Sequence, residues 1–376
     1  INTIPQRPQA SLMKITAVNT FAISVPMLVA GDAPMIGGRP RTAVETLLVR
    51  VDTDAGVSGW GEAFGHRVWP VTRTAIDRMI APLCIGRDPT AIAALMYDIA
   101  HAVHGAGRAG PAMYAMSAID IALWDIAGKL AQLPLYRLLG GSPRKDLPSY
   151  ASLLRYGKTA ALEPRIAESL ERGYRLVKIH EVDPAIIRAA SRACGEGIPL
   201  MVDCSTPWTV AQAVSICRRL QDLNLEWVEE PVWPPEDHAG LARVRAEGGI
   251  PVAAGENVGS FNEFQRLFER GSLDIAQPSV TKVGGITEMM KVFALGEAHG
   301  VRVVPHAAYF GPGLLATIHA CAAQAREVWV ERFYCDFAET PMGDAINPVG
   351  GRIAIPQGHG LGVDPDPEML KAMAVD

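Results

Sequence analysis

From residue 175 onward, short apolar runs alternate with helix-length amphipathic stretches, and each run closes on a polar or ionisable side chain. The runs are Arg175-Leu-Val-Lys-Ile-His180, Leu200-Met-Val-Asp203, Leu225-Glu-Trp-Val-Glu-Glu230, Pro251-Val-Ala-Ala-Gly-Glu256, Asp274-Ile-Ala-Gln-Pro-Ser279, Arg302-Val-Val-Pro-His306 and Trp329-Val-Glu331. Positions 178, 203, 229, 256, 279, 306 and 331 follow one another at intervals of 23 to 27 residues. Such runs suit strands buried on both faces, and one βα unit occupies roughly 30 residues. With Leu147-Pro-Ser-Tyr-Ala-Ser-Leu in front there are eight strands, separated by helices expected at 164–172, 185–194, 209–223, 235–246, 260–270, 285–299 and 312–325. Thr209 and Ser260 are candidate N-caps, and Gly173, Gly271 and Gly300 lie just past helix ends. The pattern predicts an α/β parallel barrel of eight strands and seven helices. Strand C-termini in such a barrel share one face, which would gather Lys178, His180, Asp203, Glu229, Glu256, His306 and Glu331 around one mouth.

The preceding chain has another rhythm. Lys14–Ile23 and Thr46–Asp52 alternate loosely, and Thr53-Asp-Ala-Gly56 turns the second into Val57–Glu62, an antiparallel hairpin. Val29–Thr42, rich in Gly, Pro and Arg, is too long for a tight turn and reads as a lid or a disordered loop. Helices are expected at Ile76–Leu83, Ala91–Val103 and Tyr114–Leu130, the last with Ile119, Leu123, Ile126 and Leu130 on one stripe. The expected division is a mobile leader over 1–12 before Met13, an α+β cap over 13–140, the barrel over 141–335, and a Pro- and Gly-rich tail over 336–376 that packs back on the cap.

A net charge of −5 without a basic run argues against nucleic acid or an anionic membrane as partner. No apolar run reaches the ~18 residues that span a bilayer. The six cysteines are scattered without paired spacing, which points to a reducing cytoplasm. The expected partner is a small molecule.

Asp203, Glu229 and Glu256 end three consecutive strands. A strand-end acid can simply face solvent or cap the next helix, but three converging in a partly buried mouth repel one another unless a cation neutralises them. Hard oxygen donors suit Mg²⁺, with Mn²⁺ as a substitute. Lys178 and His180, two apart on one strand, face the same side. His306 lies well round the barrel and should meet a substrate from another direction. A divalent metal between bases on opposing faces suits removal of a proton next to a carboxylate, with the metal stabilising the resulting enediolate.

The sequence resembles the enolase superfamily, mandelate racemase-like subgroup, over nearly all of the chain after Met13. The marks are Ser117-Ala-Ile-Asp-Ile-Ala-Leu-Trp-Asp-Ile-Ala-Gly-Lys129 with Pro134–Gly141, Val228-Glu-Glu-Pro231, Gly255-Glu-Asn257, Gln277-Pro278 before Lys282-Val-Gly-Gly285, and Val304-Pro-His306. The resemblance implies a modified TIM barrel, (β/α)7β, under an N-terminal α+β capping domain completed by the C-terminal tail, and a homo-oligomer. It implies Mg²⁺ on Asp203, Glu229 (not Glu230) and Glu256. It places Lys178 and His180 on the family's Lys-x-Lys motif, His306 on the histidine of its His-Asp dyad, and Glu331 on a substrate-contacting glutamate. Val29–Thr42 and Gly61–His66 match the family's two lid loops. Ser205, Ser279, Lys282, Arg39 and His66 join Glu331 as candidate substrate contacts, with Arg41 beside them.

Three departures stand out. The second lysine of Lys-x-Lys is His180, the dyad aspartate is Ser279, and an asparagine common after the first metal ligand is Ser205. A histidine near 6.5 needs little tuning to serve as a base. Loss of a carboxylate partner costs about 10⁴ in rate in a Ser-His-Asp triad; the expectation here is that Ser279 orients the His306 ring without stabilising its imidazolium. The expected reaction is dehydration of an aldonic or aldaric acid to a 2-keto-3-deoxy acid. The base would be on the Lys178/His180 face, and His306 would act as general acid. Alternatives are a cycloisomerase, racemase or epimerase on the same site, a catalytically silent metal-binding relative, and, more weakly, a Zn²⁺ hydrolase, for which an all-carboxylate ligand set is poor.

Overall fold

The cap is built on an antiparallel sheet. The computed structural model describes residues 13–29, 31–36 and 38–375, so the expected leader over 1–12 lies outside the described residues. The first strands are β1 (Ile15–Leu28), β2 (Met35–Ile36), β3 (Arg39–Pro40), β4 (Ala43–Thr53) and β5 (Ser58–Ala63). β1 pairs with β4, Phe21 opposite Leu48, and β4 pairs with β5 around the turn in which Gly56 N–H donates to Thr53 O. The segment read as a lid or a disordered loop carries the small β2–β3 hairpin, and Met35 N–H docks it on the barrel rim by donating to Arg155 O (2.7 Å).

Helix Trp69–Ala75 runs through a π turn, Ile76–Ile80, into Ala81–Cys84. It therefore starts seven residues before the expected Ile76, because Pro70 sits in its first turn, where a proline starts a helix rather than breaking it. Ile92–Ala102 and Pro111–Ala131 follow. In the latter, Ile119, Leu123 and Ile126 are fully buried, while Leu130 is 39% exposed and leaves the expected stripe as the helix emerges from the cap.

The barrel strands are β6 (Asp146–Leu153), β7 (Val177–Ile179), β8 (Leu200–Asp203), β9 (Trp227–Glu229), β10 (Val252–Ala254), β11 (Ile275–Ala276), β12 (Arg302–Val303) and β13 (Val330–Phe333). They form a curled parallel sheet in the order β12-β11-β10-β9-β8-β7-β6-β13. Helices Thr159–Glu171, Pro184–Cys194, Val210–Leu220, His238–Gly248, Phe261–Glu269, Gly285–His299 and Pro312–Ala322 connect them, which makes a (β/α)7β barrel. Inside it, Tyr150, Met201, Trp227, Ala253, Ile275 and Val304 form an apolar floor beneath the mouth.

Several local expectations shift. The first barrel helix starts five residues early, with Pro164 inside it; one missing N–H is outweighed by burial of Leu162 and Ile166. Thr209 caps with a full capping box to Gln212, but Ser260 makes no side-chain cap. The Phe261 N–H beside it points to Glu288 (3.5 Å), and Gly259 N–H donates to Glu263 (3.2 Å).

Cap and barrel join where cap side chains meet the N-termini of barrel helices. Ser117 Oγ accepts from Gly284 N–H (2.9 Å) and Asp120 from Thr287 N–H (3.0 Å). Glu62 accepts from Gly311 N–H (3.1 Å) and Gly313 N–H (2.8 Å). Carboxylates complement the positive end of the helix dipole. The Lys282-Val-Gly-Gly285 motif gains a reason here: Gly285 has φ +87°, and a Cβ there would collide with the Asp120 carboxylate.

Beyond β13, the tail adds β14 (Asp336–Phe337) to β1 and β15 (Arg352–Ala354) to β6. It ends in helix Pro367–Ala372, whose Leu370 packs with Ile23, Leu48 and Trp60 of the cap. No helix among the described residues is long and apolar enough to cross a membrane.

His319, fully buried in the last barrel helix, ties three segments together. Its Nδ1 accepts from Tyr136 N–H (3.2 Å), so its Nε2–H donates to Leu361 O (3.1 Å). Burial holds its pKa down to about 4, below the 6.5 of an exposed histidine. As pH falls below about 6.5, the unfolded chain takes up a proton that the folded chain refuses until near 4, so stability drops across that window. The gap corresponds to about 3 kcal/mol at ~1.4 kcal/mol per pH unit. Urea unfolding at pH 7 and pH 4.5 should therefore show a larger acid loss in the wild type than in His319→Gln, and equal losses would refute the assignment.

Candidate active site

The mouth places the predicted carboxylates together. One oxygen from each of Asp203, Glu229 and Glu256 lies within 4.8 Å of the others. Asp203 and Glu229 are the last residues of β8 and β9, side by side in register, while Glu256 stands two residues beyond β10. The strands before Glu256, Ser279 and His306 stop earlier than the sequence suggests. Gly255 has φ +131°, outside the strand region, and Pro278 and Pro305 offer no N–H to a ladder. Ser279 and His306 still meet in an isolated parallel bridge.

Glu229 is held by four donor contacts: Lys178 Nζ at 2.9 and 3.1 Å, Trp227 Nε1 at 3.0 Å and Gln277 Nε2 at 2.7 Å. Burial, with Asp203 and Glu331 adding to it against Lys178, still pushes its carboxyl up to about 7. Burial and the charges of Glu256 and Asp203 likewise push the Glu230 carboxyl well above the usual range. The mouth is thus short of positive charge, and three converging hard oxygen donors fit a divalent cation.

Lys178 and His180 share one side, as their spacing predicts. Lys178 Nζ contacts Glu331 (2.7 Å), Glu229 and Asp203 (3.8 Å). Burial disfavours its ammonium, but these charges override burial and hold its pKa well above the usual lysine value. His180 Nδ1 meets Leu153 O (2.7 Å), which makes it the donor and turns Nε2 toward Asp203 (3.1 Å). Against burial, Asp203 raises the pKa of that ring.

On the other side, His306 Nε2 lies 3.0 Å from Glu256. Its buried Nδ1 has no partner among the described residues. The expectation that Ser279 orients this ring fails. Ser279 is fully buried, and its Oγ lies 3.2 Å from Tyr309 OH and 3.4 Å from Thr281 Oγ1. Serine is too short to reach past the backbone bridge to the imidazole. Tyr309 does the bracing through main chain: its OH donates to His306 O (2.7 Å) and accepts from Val280 N–H (3.2 Å).

A cavity of about 630 Å³ lies between this mouth and the cap. The barrel wall includes His180, Asp203, Ser205, Glu256, Lys282 and His306, and the cap wall includes Met35, Arg41, Phe64, His66 and Arg67. Ser205, at φ +55°, donates its N–H and hydroxyl to Asp203 Oδ1 (2.8 and 2.9 Å). Lys282 reaches Glu256 (3.3 Å) and Asn257 (3.2 Å) and sits 4.1 Å from the Phe64 ring centroid.

Three expected substrate contacts do not line the cavity. Ser279 lies behind His306. Glu331 is fully buried, accepting from Ser152 Oγ (2.7 Å) and Ala307 N–H (2.8 Å) as well as pairing with Lys178. Arg39 is exposed on β3 and outside the cavity lining, whereas Arg41, just past the end of that strand, lines it. Sequence reasoning missed Trp227, which sits two residues before Glu229 and so shares its face, a signal that strand periodicity carries. Arg155 was also missed: at the end of β6 it donates to His180 O (2.8 Å) and Cys204 O (3.3 Å) and lines the cavity.

A cap over a (β/α)7β barrel with an acidic cluster at the mouth is enolase-like architecture, and comparison with known proteins makes the relationship specific. Residues 33–140 match the mandelate racemase / muconate lactonizing enzyme N-terminal domain, and residues 161–369 match the enolase C-terminal domain-like family. The chain belongs to the mandelate racemase/muconate lactonizing enzyme family of the enolase superfamily. It is 31% identical to a D-galactarolactone cycloisomerase of Agrobacterium fabrum, covering 94% of this chain and 96% of that one. It is also 31% identical to an L-talarate/galactarate dehydratase of Salmonella typhimurium, covering 88% and 83%. The crystal structure of L-talarate dehydratase from Polaromonas, complexed with Mg and L-glucarate, superposes with a TM-score of 0.84 at 31% identity, covering 97% and 98%.

Metal linkage gives a direct check. Mg²⁺ at about 100 times its Kd should stabilise the fold by roughly 2.7 kcal/mol. A melting temperature that rises with Mg²⁺ in the wild type but not in Glu229→Gln is the expected result, and a rise of the same size in both would place the cation elsewhere.

Proposed function

We propose that the protein removes the proton α to the carboxylate of a sugar acid and expels the β-hydroxyl as water, giving a 2-keto-3-deoxy acid. The observation that carries this reading is the placement of Lys178 and His180 on one side of the acidic cluster and His306 on the other. Asp203, Glu229 and Glu256 would hold Mg²⁺, or Mn²⁺ in its place; when bound, the ion supplies Lewis-acid stabilisation of the negative charge that develops on the substrate carboxylate. The α-proton goes to the Lys178/His180 face. His180 is oriented for the task by its Nδ1–H bond to Leu153 O, which makes Nε2, 3.1 Å from Asp203, the nitrogen presented to the mouth. His306 Nε2, on the opposite side, delivers a proton to the departing β-oxygen. The C–H bond gives its electron pair to a new C=C bond, the C–O bond breaks, and the enol that remains tautomerises to the keto acid. The six cysteines, all free, fit a reducing cytoplasm.

A second reading keeps the α-proton step and ends in cycloisomerisation. The likeness to a galactarolactone cycloisomerase over nearly the whole of both chains favours it. Proton NMR in D₂O with Mg²⁺ and a panel of sugar acids separates the two. Loss of the α-proton signal with growth of a 2-keto-3-deoxy product is expected, and Glu256→Gln should abolish it. Rearrangement with every oxygen retained would establish the isomerase, and no α-exchange in any acid would leave neither reading standing.

The division of labour has its own test. His306→Asn should retain α-proton exchange while water loss falls by about 10²–10⁴, the usual worth of a general acid. If exchange and water loss fell together, His306 would be acting as the base.

A further inference from the structure

The cap wall of the cavity carries cationic groups that the α-proton reaction does not use. Four basic side chains line the space: Arg41, Arg67, Arg155 and Lys282. Two are engaged, Arg155 on the carbonyls of His180 and Cys204, and Lys282 on Glu256 and Asn257. Arg41 and Arg67 form no ion pair among the described residues, and the Nε of Arg41 is buried without a hydrogen-bond partner. The two guanidinium groups repel each other: Arg41 has its pKa lowered by burial and then by Arg67, with Glu45 opposing. His66 stands with them at φ +48°, its Nδ1 also buried and unpartnered. Burial and the charges of Arg41 and Lys282 hold its pKa down to about 4, so it is a neutral donor or acceptor at pH 7.

The acids lining the cavity, Asp203 and Glu256, both belong to the barrel wall, where they are paired with His180 and His306. A substrate whose reacting carboxylate faces that wall therefore presents its far end to two guanidinium groups that form no ion pair among the described residues. We propose that Arg41, Arg67 and His66 form a subsite for a second carboxylate, so that the substrate is a dicarboxylic sugar acid rather than an aldonic acid. The inference rests on the α-proton reading and narrows its substrate class. Arginine presents paired N–H donors that match a carboxylate. A terminal hydroxymethyl group in the same place would leave the buried Arg41 Nε unpaired, and a site built around hydrogen bonds discriminates strongly against such analogues.

Matched pairs that differ only at the far carbon provide the test: galactarate against galactonate, and glucarate against gluconate, with Mg²⁺. The wild type should favour each diacid by about 100-fold or more in kcat/KM. Arg41→Gln should erase most of that preference, chiefly through KM on the diacid, while the monoacid changes less than about 3-fold. Arg67→Gln, at an exposed side chain, repeats the measurement where folding is not in question. Equal turnover of diacid and monoacid by the wild type, or an equal loss on both in the variants, would overturn the subsite while leaving the α-proton reading intact. Turnover of 6-phosphogluconate above glucarate would also overturn it, in favour of phosphate. Calorimetric binding of 2-oxoadipate against 2-oxohexanoate reads the subsite without turnover. A diacid preference lost in Arg41→Gln, with no acid exchanging its α-proton, would sustain the subsite and sink the reaction. No preference in binding would sink the subsite.

Discussion

Charge that cannot escape to water governs the mouth of this barrel. Lys178 is completely buried, and Glu229 and Glu331 are buried against it. Moving ions out of water costs several kcal/mol each, and a buried pair recovers that cost only when its remaining donors and acceptors are also satisfied. The surrounding chain meets that demand. Trp227 and Gln277 donate to Glu229, and Ser152 and the Ala307 N–H donate to Glu331. These partners come from different strands, so the polar mouth requires the barrel to close, and the apolar floor of Tyr150, Met201 and Trp227 keeps water from below. Carboxylates still outnumber ammonium groups there, and the excess marks the place for a cation.

The cap is joined to this mouth through the same physics in milder form. Glu62, Asp120 and Ser117 each accept from N–H groups where barrel helices begin, groups that have no partner inside their own helices. Asp125 performs a similar office within the cap and tail, accepting from Trp60 N–H (2.9 Å) and Leu361 N–H (2.8 Å) while paired with Lys129 (2.9 Å). Each acid is fully buried and each latch joins segments distant in sequence. The cap wall of the cavity, with Arg41 and His66, is therefore held at a fixed relation to the barrel wall.

The barrel was legible because strands buried on both faces leave continuous apolar runs, and because regular βα spacing assigns their ends to one mouth. Asp203 and Glu229 could be placed on strand ends from pattern alone. The helix expected from Ile76 begins at Trp69, with Pro70 in its first turn, a position where apolar periodicity gives no signal and a proline is tolerated. Ser279 shows a deeper limit. Its position opposite His306 follows from the resemblance, but whether its hydroxyl turns to the ring or to Tyr309 depends on side-chain packing that no one-dimensional pattern encodes. Arg39 and Arg41 differ in the same way: strand periodicity would put the two on one face, and only the end of β3 at Pro40 frees Arg41 to line the cavity while Arg39 stays exposed.

The two flanks of the acidic cluster are consequently unequal. His180 has one nitrogen committed to Leu153 O, which fixes its tautomer, and it stands beside a lysine held by three carboxylates. Among the described residues His306 pairs with Glu256 at Nε2 and has no partner at Nδ1, and its position is set through its own backbone by Tyr309. A racemase must take and return a proton with comparable ease on both faces, which asks for matched groups. A reaction that takes a proton on one face and delivers one to a leaving oxygen on the other needs no such match. Ser279, at the position where the resemblance implies a dyad acid, thus fits one-way chemistry.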